Sequence, residues 1–413
     1  ENATRLLRVA ADGSLPEEVR KEALRLIANW QKPFPVDQLS GHWRPLDPRP
    51  LEELKLALTK ALPDLIKSDA FVLSGALELV KKYKIDVASL NEGSLSDIAT
   101  NDELPDEART MAMTLYSGRK PEALAGFLSK LAIDKSDAIA IAALGSLAKL
   151  DPKSAVPALE AAVGSGNAWR AQQAWSIITL IPGEKTAGFI AKHLDTLTQA
   201  NGISPSGIEL IAAAETRNES TVVAALAAFR KAIEENKDPF VKYNLSLEGG
   251  DVDNGATLFA SHPVGQCMRC HKAEEKGHKA GGDAGPNLAG ISKRHDRRYL
   301  LESMVNPGAV VTHGYGLTSI TFKNGATLAG NIAGEAPDHL DIATPDKLLR
   351  VKRSDIESFT APVSAMPQMA LLLKPNEMRD LVAWLASLKK EQRKPKTQKP
   401  EPVDPSKLPG AKK

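Results

Sequence analysis

The sequence predicts a mainly α-helical protein with two domains and a tail. We expect a helical-repeat solenoid over residues 1–245, a smaller domain over 246–388 with a β-rich insertion at about 314–360, and a tail over 389–413. Aromatic residues make up only 5% of the 413 residues, while Ala and Leu are abundant, and this composition favours helices over β architecture. Predicted helix starts also recur at regular intervals, which is typical of stacked helical hairpins.

The repeat is visible in two segments, LPEEVRKEALRLIANW (15–30) and LPDEARTMAMTLYSG (104–118). Each has Leu-Pro, then acidic residues in the first predicted helical turn, then Arg20 or Arg109. Proline and acidic side chains both suit a helix N-terminus. Later helices are predicted to begin roughly 30–37 residues apart, near Ser136, Ala168 and Ser204. A closed helical bundle is the alternative, but the period favours stacked repeats that present a docking surface.

The helical pattern changes after residue 248. Gly249 and Gly250 interrupt it and mark a domain boundary. Further on, LTSITFKNGATLAGNIAG alternates apolar and polar residues around Asn324-Gly325, which predicts a β-hairpin. A helix with a one-sided apolar stripe follows Pro375. The tail over 389–413 has nine basic residues, three acidic residues and five prolines, so we expect it to be disordered.

The charge balance excludes some classes of function. Lys and Arg total 53 and Asp and Glu total 51, so the chain has no basic excess of the kind that coats nucleic acid. No apolar run approaches the ~18 residues of a membrane span. The chain begins at Glu1 without a signal peptide, and we expect a mature or trimmed chain.

The motif that carries chemistry is C-x-x-C-H, formed by Cys267, Cys270 and His271. This is the attachment sequence of c-type haem. The two thiols form thioethers with the haem vinyl groups, and the adjacent histidine ligates the iron. The sequence therefore predicts one covalently bound haem c, with His271 as the proximal ligand.

Three other interpretations fail on the pattern. A zinc site needs a second pair of Cys or His ligands, and the remaining histidines near this region form no close pair: His262, His278, His295, His313 and His339. A redox dithiol needs a strand-to-helix junction in a βαβ unit, which the pattern here does not predict. The glycine-rich stretch 281–291 lacks the spacing of a nucleotide-binding loop.

The residues around the motif resemble those of class I cytochromes c. In that class a Gly-x-x-x-aromatic helix precedes the motif, a Gly-Pro-Asn-Leu loop follows it, and a final helix with Leu and an aromatic residue closes the fold. The matching positions here are Gly255, Phe259, Gly285–Leu288, Leu381 and Trp384. The resemblance implies that the carbonyl of Pro286 accepts the Nδ1–H of His271, which turns Nε2 toward the iron.

The same resemblance implies a methionine as the distal ligand. Class I cytochromes present it near a proline on a loop before the final helix, and Met366-Pro367 has that position. Met369 is the nearby alternative. Met304 lies on a predicted apolar stripe and suits the core better. His295 or His313 would instead give a bis-histidine iron. Possible partners of the haem propionates are Arg294, Arg297, Arg298 and Tyr299, although solvated helix surface explains most of them equally well.

The order of parts over roughly 249–388 also resembles the PVC-type haem-binding C-x-x-C-H proteins. The matching residues include Gly249–Asp251, Arg298–Ser303 and Ser364-x-Met366-Pro367. The segment 23–46 resembles the HEAT-like repeats that these proteins place upstream. Many members also carry a glucose/sorbosone dehydrogenase-like propeller, which these 413 residues do not contain, so no substrate-oxidation site can be transferred to this chain.

Covalent haem attachment takes place outside the cytoplasmic membrane, so we expect an exported protein, periplasmic or extracellular. The resemblance implies a cytochrome that carries single electrons. It would accept them from a sugar or alcohol dehydrogenase domain or another redox partner protein. Two alternatives remain open. The repeats could be the main functional part, as an interaction scaffold with a structural haem, or the haem could have an open distal site and act as a peroxidase or sensor.

Overall fold

The computed structural model describes residues 2–37, 39–86, 90–273, 281–389 and 399–411. The chain divides into two compact units, residues 1–165 and 166–413. No helix in the described ranges combines the length and the apolar character that crossing a bilayer requires.

The described part of the first unit contains helices and one isolated β-bridge, between Val36 and Trp43. Its helices are α1 (Asn2–Ala11), α2 (Glu17–Ala28), α3 (Leu51–Leu65), α4 (Ala70–Tyr83), α5 (Glu92–Thr100), α6 (Asp106–Gly118), α7 (Leu124–Leu131), α8 (Asp137–Leu150) and α9 (Pro152–Val163). Helices α2 and α6 correspond to the two segments with the shared sequence pattern, and both follow the predicted Leu-Pro.

The two segments make the same buried contact. The Nε of Arg20 and the Nε of Arg109 each donate a hydrogen bond to the carbonyl ten residues earlier, at the end of the preceding helix, at 3.0 and 3.1 Å. Arg20 also pairs with Asp69, and Arg109 with Asp134. Both arginines are almost fully buried. A buried guanidinium requires such partners because its charge cannot be left without compensation.

The second unit begins with four helices and continues into the region of the C-x-x-C-H motif. Its helices are α10 (Ala168–Ile178), α11 (Glu184–Gln199), α12 (Gly207–Glu215), α13 (Ser220–Glu234), α14 (Val252–Ser261), α15 (Arg297–Val305) and α16 (Pro375–Ser387). Helices α8, α10 and α12 begin close to the predicted starts.

The division of the chain differs from the predicted boundary at 245/246. Helices on both sides of that point belong to one unit. Phe240 and Leu247 lie in the same hydrophobic cluster as α14, α15 and α16. An ion pair between Glu209 on α12 and Arg379 on α16 joins the two parts. Both guanidinium–carboxylate N–O distances are 2.9 Å. The sequence showed the glycine break but not these long-range contacts.

Helices α14 and α16 cross at very close range. A Cβ built on Gly255 would lie 2.1 Å from the carbonyl oxygen of Asp380 and 2.7 Å from the Cβ of Trp384, so no larger residue fits. One turn further on, the rings of Phe259 and Trp384 pack with their centroids 4.5 Å apart. Phe259 and Trp384 belong to the hydrophobic cluster against which Cys267 and Met268 of the motif pack.

The predicted β-rich insertion is confirmed. Its strands are β1 (Gly316–Phe322), β2 (Thr327–Glu335), β3 (His339–Ala343), β4 (Leu348–Lys352), β5 (Ile356–Phe359) and β6 (Val363–Ser364). Their order in the sheet is β5-β1-β2-β3-β4, with β6 paired to the start of β1. The β1–β2 hairpin turns at Asn324-Gly325, where Gly325 has a φ of 82°.

The prediction of a disordered tail is wrong for residues 399–411. Glu401–Pro402 forms a seventh strand, β7, parallel to β4. Val403 and Leu408 pack against the hydrophobic core of the sheet, and the N–H of Thr327 donates to the carbonyl of Pro409 at 3.1 Å. Proline is tolerated on an edge strand, so the composition of the tail does not prevent this pairing. The rest of the predicted tail, 390–398 and 412–413, lies outside the described residues.

Candidate functional site

The C-x-x-C-H motif lies on one short turn after α14. The N–H groups of Cys270 and His271 both donate to the carbonyl of Cys267, at 3.1 and 2.9 Å. Both cysteines are free thiols, with Cys267 partly buried and Cys270 exposed. Burial raises the pKa of the Cys267 thiol. The turn therefore places two unpaired thiols and an imidazole within five consecutive residues.

A glycine-rich loop packs over the motif and is fixed to it by three backbone hydrogen bonds. Gly282 donates to Met268 at 2.9 Å, Gly285 to Cys270 at 2.7 Å, and Leu288 to Lys272 at 2.8 Å. A Cβ on Gly282 would lie 1.9 Å from the carbonyl oxygen of Arg269. The backbone of this loop can approach so closely only because the residue is glycine.

The loop also orients His271. Its Nδ1 lies 2.8 Å from the carbonyl oxygen of Pro286. A carbonyl can only accept, so Nδ1 carries the proton and Nε2 keeps its lone pair. Burial lowers the pKa of His271, and the hydrogen bond to Pro286 opposes this effect. The side chain is therefore held as a neutral imidazole with one nitrogen free to bind a metal.

Met366 lies on the loop between β6 and a short helical turn at Met369–Leu371. It is partly buried and packs against the same hydrophobic cluster as Cys267. Met369 and Met304 lie inside that cluster, with only 6% and 5% of their surface exposed. Of the three candidate methionines, Met366 is thus the least enclosed by the core.

The candidate histidines lie in several different environments. His313 is exposed, and His295 stacks on Tyr299 with ring centroids 3.7 Å apart. His262 accepts a hydrogen bond from the N–H of Gly265 at 2.8 Å, which shapes the turn before the motif. His339 contacts Asp338 within the sheet. His278 lies outside the described residues.

All three arginines considered for haem propionates have structural partners, and Arg294 donates to the carbonyl of Ala289 at 3.3 Å. Arg297 donates to the carbonyls of Leu247 and Gly249, both at 2.7 Å. Arg298 pairs with Asp238 at 2.8 Å. Arg297 and Arg298 thus fasten α15 to the segment before α14.

Asp380, which was not predicted from the sequence, organises the helix crossing under the motif. Its carboxylate is buried and accepts from the N–H of Asp251 at 2.9 Å and from the Asn254 amide at 2.7 Å. It thereby ties the N-terminus of α14 to α16. The only sequence signal was an acidic residue beside the apolar stripe of the last helix.

The residues present suit a c-type haem. Two free thiols precede a neutral imidazole whose Nε2 is unprotonated, and partly buried apolar side chains pack against the same hydrophobic cluster as Cys267: Met268, Leu288 and Met366. This is the donor chemistry that attaches haem and ligates its iron on one side.

The comparison with known proteins agrees with this assignment. The sequence model of the cytochrome c family matches residues 252–327. The match begins with α14, includes the C-x-x-C-H turn, the glycine loop and α15, and ends where β2 begins. No curated protein sequence matches the chain. Residues 252–327 therefore belong to a cytochrome c-type haem-binding domain.

Proposed function

We propose that this protein is a c-type cytochrome that carries single electrons through one covalently bound haem. Cys267 and Cys270 form the thioethers, His271 is the proximal ligand and Met366 the distal ligand. The observation that carries the proposal is the 2.8 Å contact between His271 Nδ1 and Pro286, which leaves Nε2 unprotonated beside two free thiols. The haem iron supplies the one-electron chemistry when bound.

Partner and location extend this proposal. The PVC-type resemblance supports a dehydrogenase domain or partner as the electron donor, and a periplasmic or extracellular location. In this proposal the helical repeats predicted over residues 1–245 serve as a docking platform. The equivalent buried contacts of Arg20 and Arg109 support a repeated architecture there.

Covalent attachment is tested on the full chain produced with a c-type haem maturation system. Haem should stay with the denatured polypeptide through acid–acetone extraction, because thioethers survive unfolding. A double variant, Cys267→Ser with Cys270→Ser, should release its haem in the same extraction. Free extraction of haem from the unmodified protein would exclude the covalent assignment.

The distal ligand is tested by substitution of Met366. Met366→Ala should abolish the weak sulfur-to-iron charge-transfer band of the ferric protein and lower the reduction potential, since a thioether favours ferrous iron. Met304→Leu and Met369→Leu conserve apolar volume and serve as controls that should retain the band. If Met369→Leu abolishes the band and Met366→Ala does not, Met369 is the ligand. If both retain it, the sulfur ligand is a different residue, and if the unmodified protein lacks the band, a bis-histidine iron with His295 or His313 is the next assignment.

A further inference from the structure

The chain enters and leaves the small sheet at adjacent points. The first residues of β1 pair with β6, the strand that precedes Met366, with Gly316 opposite Ser364 and Leu317 opposite Val363. Paired strands lie about 4.7–4.9 Å apart. The point at which the chain leaves the sheet is therefore fixed by the point at which it enters.

This exit point lies immediately before Met366. The N–H of Met366 donates to the hydroxyl of Ser364 at 3.2 Å, which holds the first turn after β6. The other end of the loop is held by Met369, which is buried in the hydrophobic core. The four residues from Ala365 to Gln368 thus connect a paired strand to a buried anchor.

Gly316 leaves space for Val311 and Pro362, which lie just before β1 and β6. A Cβ at this position would lie 2.5 Å from Cγ1 of Val311 and 2.6 Å from Cβ of Pro362. Gly316 lies outside the left-handed region of backbone conformation, so the requirement here is for space rather than for a positive φ. A side chain at this position would push on the segment that leads into β6.

We propose that the small sheet positions the distal loop, with Gly316 and Ser364 as the positioning residues for Met366. This rests on the proposed function, because it takes Met366 as the distal ligand. The sheet fixes the start of the loop, so that the sulfur is presented without a large loss of loop entropy on ligation. Loosening the start of the loop lowers the fraction of molecules with Met366 in place, and an external ligand then binds more tightly.

The test is a titration of the full-length ferric holoprotein with imidazole, read from its visible spectrum. Gly316→Ala and Ser364→Ala should each bind imidazole several-fold to about tenfold more tightly, as expected for the loss of roughly one hydrogen bond or a similar packing contact. Both should weaken the charge-transfer band. Ser364→Thr retains the hydroxyl and should restore both properties.

A matched control lies in the same sheet. A Cβ on Gly334 would lie no closer than 3.4 Å to its nearest neighbour, a side-chain atom of Asp341. Gly334→Ala should therefore leave imidazole affinity and the band unchanged. An equal effect of Gly334→Ala would overturn the proposal, since any disturbance of the sheet would then suffice.

The outcomes separate this proposal from the assignment on which it rests. If Met366→Ala retains the charge-transfer band, the distal assignment itself fails. If Met366→Ala abolishes the band while Gly316→Ala and Ser364→Ala keep the wild-type imidazole affinity, the positioning role is excluded and Met366 remains the ligand. If Gly316→Ala reduces the β-sheet signal in circular dichroism, the comparison of Ser364→Ala with Ser364→Thr tests the positioning role instead, because removing one hydroxyl leaves the strand pairing intact.

Discussion

At the scale of single residues, Gly285 controls the orientation of the His271 ring. A Cβ at Gly285 would lie 2.5 Å from Cε1 and 2.8 Å from Nδ1 of that ring. Gly285→Ala should therefore displace the imidazole and weaken its bond to Pro286, at a cost of about 1–3 kcal/mol for the hydrogen bond. We expect a shifted reduction potential and partial high-spin character in the visible spectrum of the holoprotein.

Gly308→Ala is the matched control for this change. A Cβ there would come no closer than 3.9 Å to its nearest neighbour, the Asn306 side chain. Its potential and spectrum should equal those of the unmodified protein. An unchanged spectrum in Gly285→Ala would show that the ring does not depend on this close contact.

Functional residues can be predicted from the sequence where they lie close together along the chain. Cys267, Cys270 and His271 are adjacent in sequence, so their shared turn follows from the motif alone. Asp380 could not be found in this way, because both of its hydrogen-bond donors, Asp251 and Asn254, lie at the start of α14, far away along the chain. A buried carboxylate acquires its role only when tertiary contacts bring its donors together.

At the scale of elements, an ion pair joins strands β3 and β4. Asp341 and Arg350 are direct cross-strand partners, with Nε–Oδ1 and Nη2–Oδ2 distances of 2.8 and 2.9 Å. Arg350 lowers the pKa of Asp341, and His339 lowers the pKa of Asp338 beside it. His339 also lies 3.9 Å from Asp341.

These lowered pKa values predict the direction of the acid response. A carboxylate with a lowered pKa in the folded state contributes stability above its unfolded value, about 3.9, and loses it as the pH falls through the folded value. The denaturant concentration at the midpoint of unfolding should therefore decrease when the pH is lowered below about 4. Arg350→Met should make this decrease smaller. The control Lys323→Met, at an exposed turn position, should show the same decrease as the unmodified protein. An identical acid response in all three proteins would exclude the ion pair as a cause.

The strands also show which elements local patterns can predict. The β1–β2 hairpin was predictable because Asn-Gly determines its own turn type within a few residues. Strand β7 was not, since its pairing with Leu349 and Arg350 depends on a partner far earlier in the chain. Its proline-rich, charged surroundings resemble those of a disordered tail, and its apolar anchors, Val403, Leu408 and Ala411, are few and scattered.

At the scale of the whole molecule, the haem-binding region packs closely against the segments before it. The hydroxyl of Ser246 donates to the carbonyl of Pro375 at 2.8 Å, at the start of α16. A Cβ on Gly249 would lie 2.5 Å from the carbonyl oxygen of Pro205. Gly249, which the sequence indicated as part of a domain boundary, is therefore a site of close packing, and the compact unit begins at residue 166.

This arrangement predicts how the chain can be divided. A fragment of residues 166–413 should incorporate haem and unfold in one cooperative transition. A fragment of residues 246–413 should be less stable by at least about 3–5 kcal/mol, because it retains the buried Arg379 without Glu209. Urea denaturation followed by circular dichroism measures the unfolding free energy of both fragments.

Glu209→Gln in the longer fragment isolates the ion pair and should account for part of the loss of stability. Equal stability of the two fragments would place the boundary at 245/246 after all and reduce the Glu209–Arg379 pair to a surface contact.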